Sequence, residues 1–309
     1  MASLKVPYVL ITPARNEAQL IEGTIHSMLQ QTLLPLKWVI VSDGATDGTD
    51  AIVQKYADQH EWIELVRIPE HEKRSFSGKV AAFNAGYARV SGLAYEVIGN
   101  LDADITFEAD YLEFLISKFA ENPSLGVAGT PYREDKPAHD DRLMSPNHVS
   151  GACQLFRRKC FEEIGGYMPI GSGGIDLIAV LAAQAKGWHT WRFNEKSCFH
   201  HRSVGGGDHS GILQRLLNRG KKDYLLGSHP GFEIFRSAYQ MKSRPYVVGG
   251  LLMFAGYASS MLRRVKRTMP DELITLRRRD QVQRLKDTLR NPLRLANPPI
   301  QRSTTAVRP

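Results

Sequence analysis

The strongest constraint on the fold is an alternation repeated through the first half of the chain. Short apolar runs at residues 8–11, 38–41, 63–68, 97–101 and 127–130 alternate with helical patterns at 18–31, 49–59, 78–89 and 110–120. In 18–31, for example, Leu20, Ile21, Ile25, Met28 and Leu29 share one helical face. Such alternation predicts an α/β fold: a Rossmann-like, mostly parallel sheet with helices on both faces. A strand over 151–157, a short helix over 160–164 and a helix over 176–186 extend the pattern, and 190–194 again reads as a strand.

Sheets of this kind bind ligands beyond the carboxyl ends of their strands. Three polar segments fall there. Thr12-Pro13-Ala14-Arg15-Asn16-Glu17 follows the first strand, Ser42-Asp43-Gly44-Ala45-Thr46-Asp47-Gly48-Thr49 the second, and Asp102-Ala103-Asp104 the run ending at Leu101. Carboxylate oxygens suit Mg²⁺ and Mn²⁺, which bind one or two carboxylates together with substrate phosphates. An Asp-x-Asp at a strand end is therefore a candidate seat for a metal–diphosphate. Each segment also has a local reading, because aspartates fill turns and Thr46 or Asp47 can cap a helix. Convergence of all three on one edge points to a ligand.

The 309 residues are 42% hydrophobic, enough for a sizeable core. Three cysteines without metal-ligand spacing argue against a disulfide framework or zinc site and fit a reducing compartment. The net charge of +8 is unevenly placed. Residues 263–309 carry 13 Lys and Arg against 4 Asp and Glu, while the rest holds 27 basic and 28 acidic groups. A near-neutral body argues against a nucleic-acid partner, and a basic tail suits an anionic membrane surface. No secretory signal is read at the start, so a cytoplasmic protein is expected, peripheral on the cytoplasmic face of the plasma membrane.

At this point the chain resembles family 2 glycosyltransferases, which have the GT-A fold. The resemblance runs over residues 6–201. It rests on residues 12–17, on 41–49, on Gly78-Lys79-Val80-Ala81-Ala82-Phe83-Asn84-Ala85-Gly86 and on Leu101-Asp102-Ala103-Asp104. It implies transfer of a sugar from a nucleotide diphosphate donor, with inversion at the anomeric carbon. It sets Thr12, Pro13, Ala14, Arg15, Glu17, Asp43, Lys79, Asp102 and Ala103 along the donor: Glu17 near the ribose, Asp43 on a base that is usually uracil, and Lys79 towards the diphosphate. A divalent cation, Mn or Mg, is implied. Asp104 is the direct ligand, Asp102 stands beside it, and one of His200 and His201 touches the metal or diphosphate, with His201 set beside the pair. Counting back eleven residues from Gly187-Trp188 reaches Asp176, the implied catalytic base, although Ile175 and Ile178 stand where the family often has acids.

The expected division is a nucleotide-sugar-binding and catalytic domain over 1–204, a helical C-terminal extension over 205–262, and a basic, partly disordered tail over 263–309. Residues 246–262 are 17 apolar or small residues without a charge, between basic flanks. This is short for a span and suits a segment lying in or dipping into one leaflet, with a packed core or dimer helix and a true span as alternatives. Residues 133–149 read as a loop over the crevice, Gly205-Gly206-Gly207 as a lid or linker, and 271–290 as a basic amphipathic helix. Arg215, Arg219, Lys221 and Lys222 form a basic stretch that reaches phosphate or faces solvent. The expected function is metal-dependent transfer of a sugar, from a UDP-sugar, to a hydroxyl of a lipid-linked or cell-surface glycan. A polyprenyl-phosphate glycosyltransferase and a non-catalytic nucleotide-sugar-binding protein remain alternatives.

Overall fold

The computed structural model describes residues 6–69, 76–134, 145–171, 173–202 and 211–290. The chain opens with β1 (Tyr8–Ala14), α1 (Ile21–Leu29), β2 (Lys37–Asp43), α2 (Thr49–Ala57), β3 (Ile63–Ile68), α3 (Phe76–Val90) and β4 (Val97–Leu101). It continues through β5 (Ile105–Thr106), α4 (Tyr111–Glu121), β6 (Leu125–Gly129), β7 (Tyr132–Arg133), β8 (Cys153–Arg157), α5 (Arg158–Glu163), α6 (Ile175–Ala185), β9 (His189–Arg192) and β10 (Cys198–His200). Four helices follow: α7 (Ile212–Leu225), α8 (Pro230–Gln240), α9 (Tyr246–Leu262) and α10 (Asp271–Arg290).

The seven-stranded sheet runs β3-β2-β1-β4-β8-β6-β9. Only β8 is antiparallel to its neighbours. The strands are unbroken apolar runs because both faces of the sheet are covered. Tyr8 and Leu10 of β1, with Trp38 and Ile40 of β2, pack under Ile21, Ile25 and Met28 of α1 and Leu112, Leu115 and Phe119 of α4. Val9, Ile11, Val39 and Val41 point the other way, against Val80 and Phe83 of α3 and Val180 and Ala183 of α6. The strict alternation of neighbours along β1 and β2 is the period of an extended chain. A second sheet, β5-β10-β7, not evident in the sequence, closes over the carboxyl end of β4.

Among the C-terminal helices, α7 crosses α9 at backbone contact. A Cβ on Gly220 would stand 1.8 Å from the Met253 carbonyl oxygen, and one on Gly256 would stand 2.1 Å from that of Leu217. Only glycine permits that approach. The reading of 246–262 therefore resolves into two faces. Gly249, Gly250, Met253, Gly256, Tyr257 and Ser260 are buried, and Val247, Val248, Leu251, Phe254 and Leu262 are exposed. Among the described residues no helix is long and apolar enough to cross a membrane.

The basic C-terminal stretch is not all surface charge. Arg277 is buried, with its guanidinium 3.4 Å from Asp223 and 2.6 Å from the Leu226 carbonyl oxygen. Most of residues 133–149, the Gly205–Gly207 segment and the tail beyond Arg290 lie outside the described residues.

Candidate functional site

Three of the expected metal and donor residues meet where β4 ends. Asp102 and Asp104 flank Ala103, and β10 brings His200 across to them. His200 Nε2 is 3.4 Å from Asp104 Oδ1 and 4.0 Å from Asp102 Oδ2. One ligand atom from each of these three residues lies within 4.8 Å of the other two. Two carboxylate oxygens and an imidazole are a donor set for a divalent cation. Burial and the neighbouring Asp102 charge push the Asp104 carboxyl up.

Of the two histidines, His200 and not His201 stands beside the carboxylates. His201 is the residue just after β10, and its Nε2 lies 2.9 Å from the Thr106 hydroxyl, while His200 takes the place beside the carboxylates. Neighbours along a strand face opposite ways, so only one of the pair can point into the crevice.

Asp102 is held from its other side. Its Oδ1 accepts from Lys79 Nζ at 2.6 Å and from Asn100 Nδ2 at 3.1 Å, leaving Oδ2 towards His200. Burial works against the Lys79 charge, but Asp102, with Asp176 and Asp104 further off, outweighs it and raises the ammonium's pKa. Asn100 also donates to the Gly151 carbonyl oxygen, which ties β4 to the loop before β8.

Asp176 sits in the first turn of α6, launched by Gly174 at φ 90°, a conformation side chains rarely tolerate. Burial opposes its charge, but His148, Lys222, the Leu177 amide and Lys79 hold it below the usual carboxylate value. Burial, with Arg192, Arg277 and Arg284 nearby, pushes the His148 pKa down against the opposing pull of Asp176. Lys79, Asp102, Asp176 and His200 line one cavity of about 450 Å³, which runs on to α7, α8 and α10.

On the β1–β2 side the expected donor residues separate into two groups. Arg15, Glu17 and Asp43 lie at the strand ends. Asp43 is nearly buried, with Arg15 3.8 Å from Oδ2, and its Oδ1 has no hydrogen-bond partner among the described residues. Arg202 grips both oxygens of Glu17, at 2.8 and 2.6 Å. Thr12, Ala14 and Ala103 point their side chains inward instead. The Thr12 hydroxyl accepts from the Trp38 indole at 2.8 Å, and the methyl groups of Ala14 and Ala103 sit in the core. These three can offer a donor only backbone, and Pro13 is half-buried between them. Asp47 follows its local reading, accepting from the Ala18 amide and from the amide and hydroxyl of Thr49.

Sequence reasoning missed Arg202 and His148. Arg202 directly follows the histidine pair, which was its only signal. His148 carried none.

The mostly parallel sheet, with an Asp-x-Asp and a histidine at the end of its central strand, defines a GT-A glycosyltransferase. The family model described as "Glycosyl transferase family 2" matches residues 9–173. The chain belongs to this family. It is 34% identical over 210 residues to the putative teichuronic acid biosynthesis glycosyltransferase TuaG of Bacillus subtilis, covering 63% of this chain and 79% of that protein. It is 25% identical over 170 residues to the poly-beta-1,6-N-acetyl-D-glucosamine synthase of Staphylococcus epidermidis, covering 48% of this chain but only 39% of the synthase. Among solved structures it resembles the mannosyltransferase PcManGT from Pyrobaculum calidifontis in complex with GDP-Man and Mn²⁺. The TM-score there is 0.57 and the identity 18%, over 96% of this chain and 84% of that one. S. aureus TarS 1-349 in complex with UDP-GlcNAc gives a TM-score of 0.51 at 11% identity, over 85% and 74% of the two chains. At these identities the structural likeness concerns the fold.

Proposed function

We propose that the protein is an inverting, metal-dependent glycosyltransferase moving a sugar from a UDP-sugar to a hydroxyl of a lipid-linked or cell-surface glycan, with Asp176 as base. The observation that carries this reading is a carboxylate held ionised in the same cavity as the Asp102–His200 end of a donor site. Asp102, Asp104 and His200 would hold the divalent cation. When bound, the cation supplies positive charge to the diphosphate oxygens of the leaving group.

Lys79 adds a second positive charge at the same end of the cavity. Asp176 accepts the acceptor hydroxyl's proton as its oxygen bonds to the anomeric carbon. The bond from that carbon to the donor phosphate breaks in the same displacement, and the electron pair leaves on the diphosphate. Attack from the opposite face inverts the configuration. An ionised Asp176 favours a hydroxyl acceptor over a lipid phosphate, which needs no base. The unsatisfied Asp43 Oδ1 suits the N–H of a uracil.

The exposed apolar face of α9, bordered by Arg244, Arg263, Arg264 and Lys266, supports attachment to an anionic membrane surface. The site is tested by a thermal-shift screen of nucleotide sugars with Mn²⁺ and with EDTA. A ligand that binds only the folded state raises its melting temperature. A UDP-sugar is expected to stabilise the protein with Mn²⁺ and not with EDTA. Indifference to every nucleotide sugar would overturn the assignment.

A further inference from the structure

The cavity that holds Asp176 does not end there. It runs on to a group of arginines carried by α7, α8 and α10, helices that bear none of the donor segments. Asp223 is the anion of this group. Its Oδ2 lies 2.8 Å from Arg236 and its Oδ1 3.4 Å from Arg277, so both oxygens are committed. Arg219 stands one helical turn before Asp223 on α7 and also lines the cavity. Among the described residues it has no hydrogen bond and no ion pair. Arg284 is matched by Asp280 at 2.8 Å. Glu233 is close by, but burial and the Asp223 charge push its carboxyl up to about 8, so most of its negative charge is suppressed at neutral pH.

Three guanidinium groups therefore share one carboxylate, a surplus of two positive charges on the wall of a cavity. Burial and the repulsion of Arg236 lower the Arg219 pKa to about 9. An excess of positive charge in such a place costs stability, and Arg219 has chiefly the shared Asp223 to oppose its charge. Residues 219, 222, 223 and 226 follow the i, i+3, i+4, i+7 spacing of one helical face, and all four line the cavity. Lys222, which lies near Asp176, is three residues after Arg219, about 4.5 Å along the helix.

We propose that this part of the cavity is an acceptor subsite for a phosphoryl group, with Arg219 as its main ligand. The proposal rests on the reading of Asp176 as the base for an acceptor hydroxyl, and it narrows the acceptor to a sugar that carries a phosphate ester. A phosphate ester holds about 1.5 to 2 negative charges at neutral pH, matching the surplus better than a carboxylate does. Guanidinium forks suit its oxygens. The donor's own diphosphate is served elsewhere, by Lys79, His200 and the cation site.

Calorimetry in EDTA with N-acetylglucosamine 1-phosphate, inorganic phosphate and glucuronate tests this, beside UDP titration with Mn²⁺. The sugar phosphate is expected to bind the wild type more tightly than phosphate or glucuronate. Arg219→Gln is expected to lose at least tenfold in that affinity, Arg219→Lys to keep part of it, and both to bind UDP with Mn²⁺ as the wild type does. Without ligand, Arg219→Gln should melt at a higher temperature than the wild type, because it loses an unpaired cation. Glucuronate binding as tightly as the sugar phosphate, or no phosphate binding at all, would overturn the proposal. So would a parallel loss of UDP affinity in Arg219→Gln, which would give these cations to the donor. Failure of the wild type to bind UDP strikes the donor reading instead, whereas loss of phosphate binding with UDP binding intact strikes only the subsite.

Discussion

His200 Nε2 stands 3.4 Å from Asp104 Oδ1, while the adjacent His201 turns away to the Thr106 hydroxyl. The two histidines should therefore separate sharply in a metal titration. His200→Ala is expected to weaken Mn²⁺-dependent UDP binding by about 10–100-fold, the usual scale for disturbing a metal site. His201→Ala should change it by less than about threefold. The reverse order would move the site to His201.

Glu233 ties stability to pH. Its carboxyl is pushed from an ordinary 4.5 up to about 8 by burial and by Asp223. The fold thus prefers the protonated form. Its contribution is fully present below about 4.5 and is lost as pH rises towards 8, because the unfolded chain releases the proton first. Glu233→Gln, permanently neutral, should gain melting temperature over the wild type as pH increases from 5 to 8. A constant difference across that range would contradict the assignment.

Gly220 and Gly256 set the distance between α7 and α9. Gly220→Ala places a methyl group against the Met253 carbonyl oxygen, which cannot move without its helix. The expected cost is about 1–3 kcal/mol or more in urea unfolding, the range for overpacking a tight contact. Gly211→Ala, which meets nothing, is the control and should cost under about 1 kcal/mol.

The exposed face of α9 is testable by flotation with vesicles containing anionic lipid. The wild type should float with them, and Leu251→Asp with Phe254→Asp should stay behind while still binding UDP with Mn²⁺. Equal flotation of both proteins, or none by the wild type, would remove the membrane from the account.

Much of this molecule is legible in its sequence, for identifiable reasons. β4, buried on both faces, leaves an unbroken apolar run, and β3, β4 and α9 all appear with the bounds they have in the structure. Asp176 was found by register from Gly187-Trp188, because one helix and one turn separate them. The direction of each side chain was not legible. A motif names a block of residues, but the chain alternates, and so Thr12, Ala14 and Ala103 feed the core while Arg15, Glu17 and Asp43 stay at the strand ends. The choice of His200 over His201 depends on which strands pair with β10, and no local pattern carries that. Arg277 read as surface charge because its partner, Asp223, is 54 residues away and on another helix.

The central claim is that Asp176 acts on the acceptor and not on the donor. The direct test is one variant, Asp176→Asn, with two readings: affinity for UDP with Mn²⁺, and turnover of a UDP-sugar with an acceptor. The account predicts UDP affinity within about twofold of the wild type and turnover reduced by about 10²–10⁴, the scale of a lost general base. Turnover near that of the wild type, or a loss explained wholly by weaker UDP binding, would contradict it.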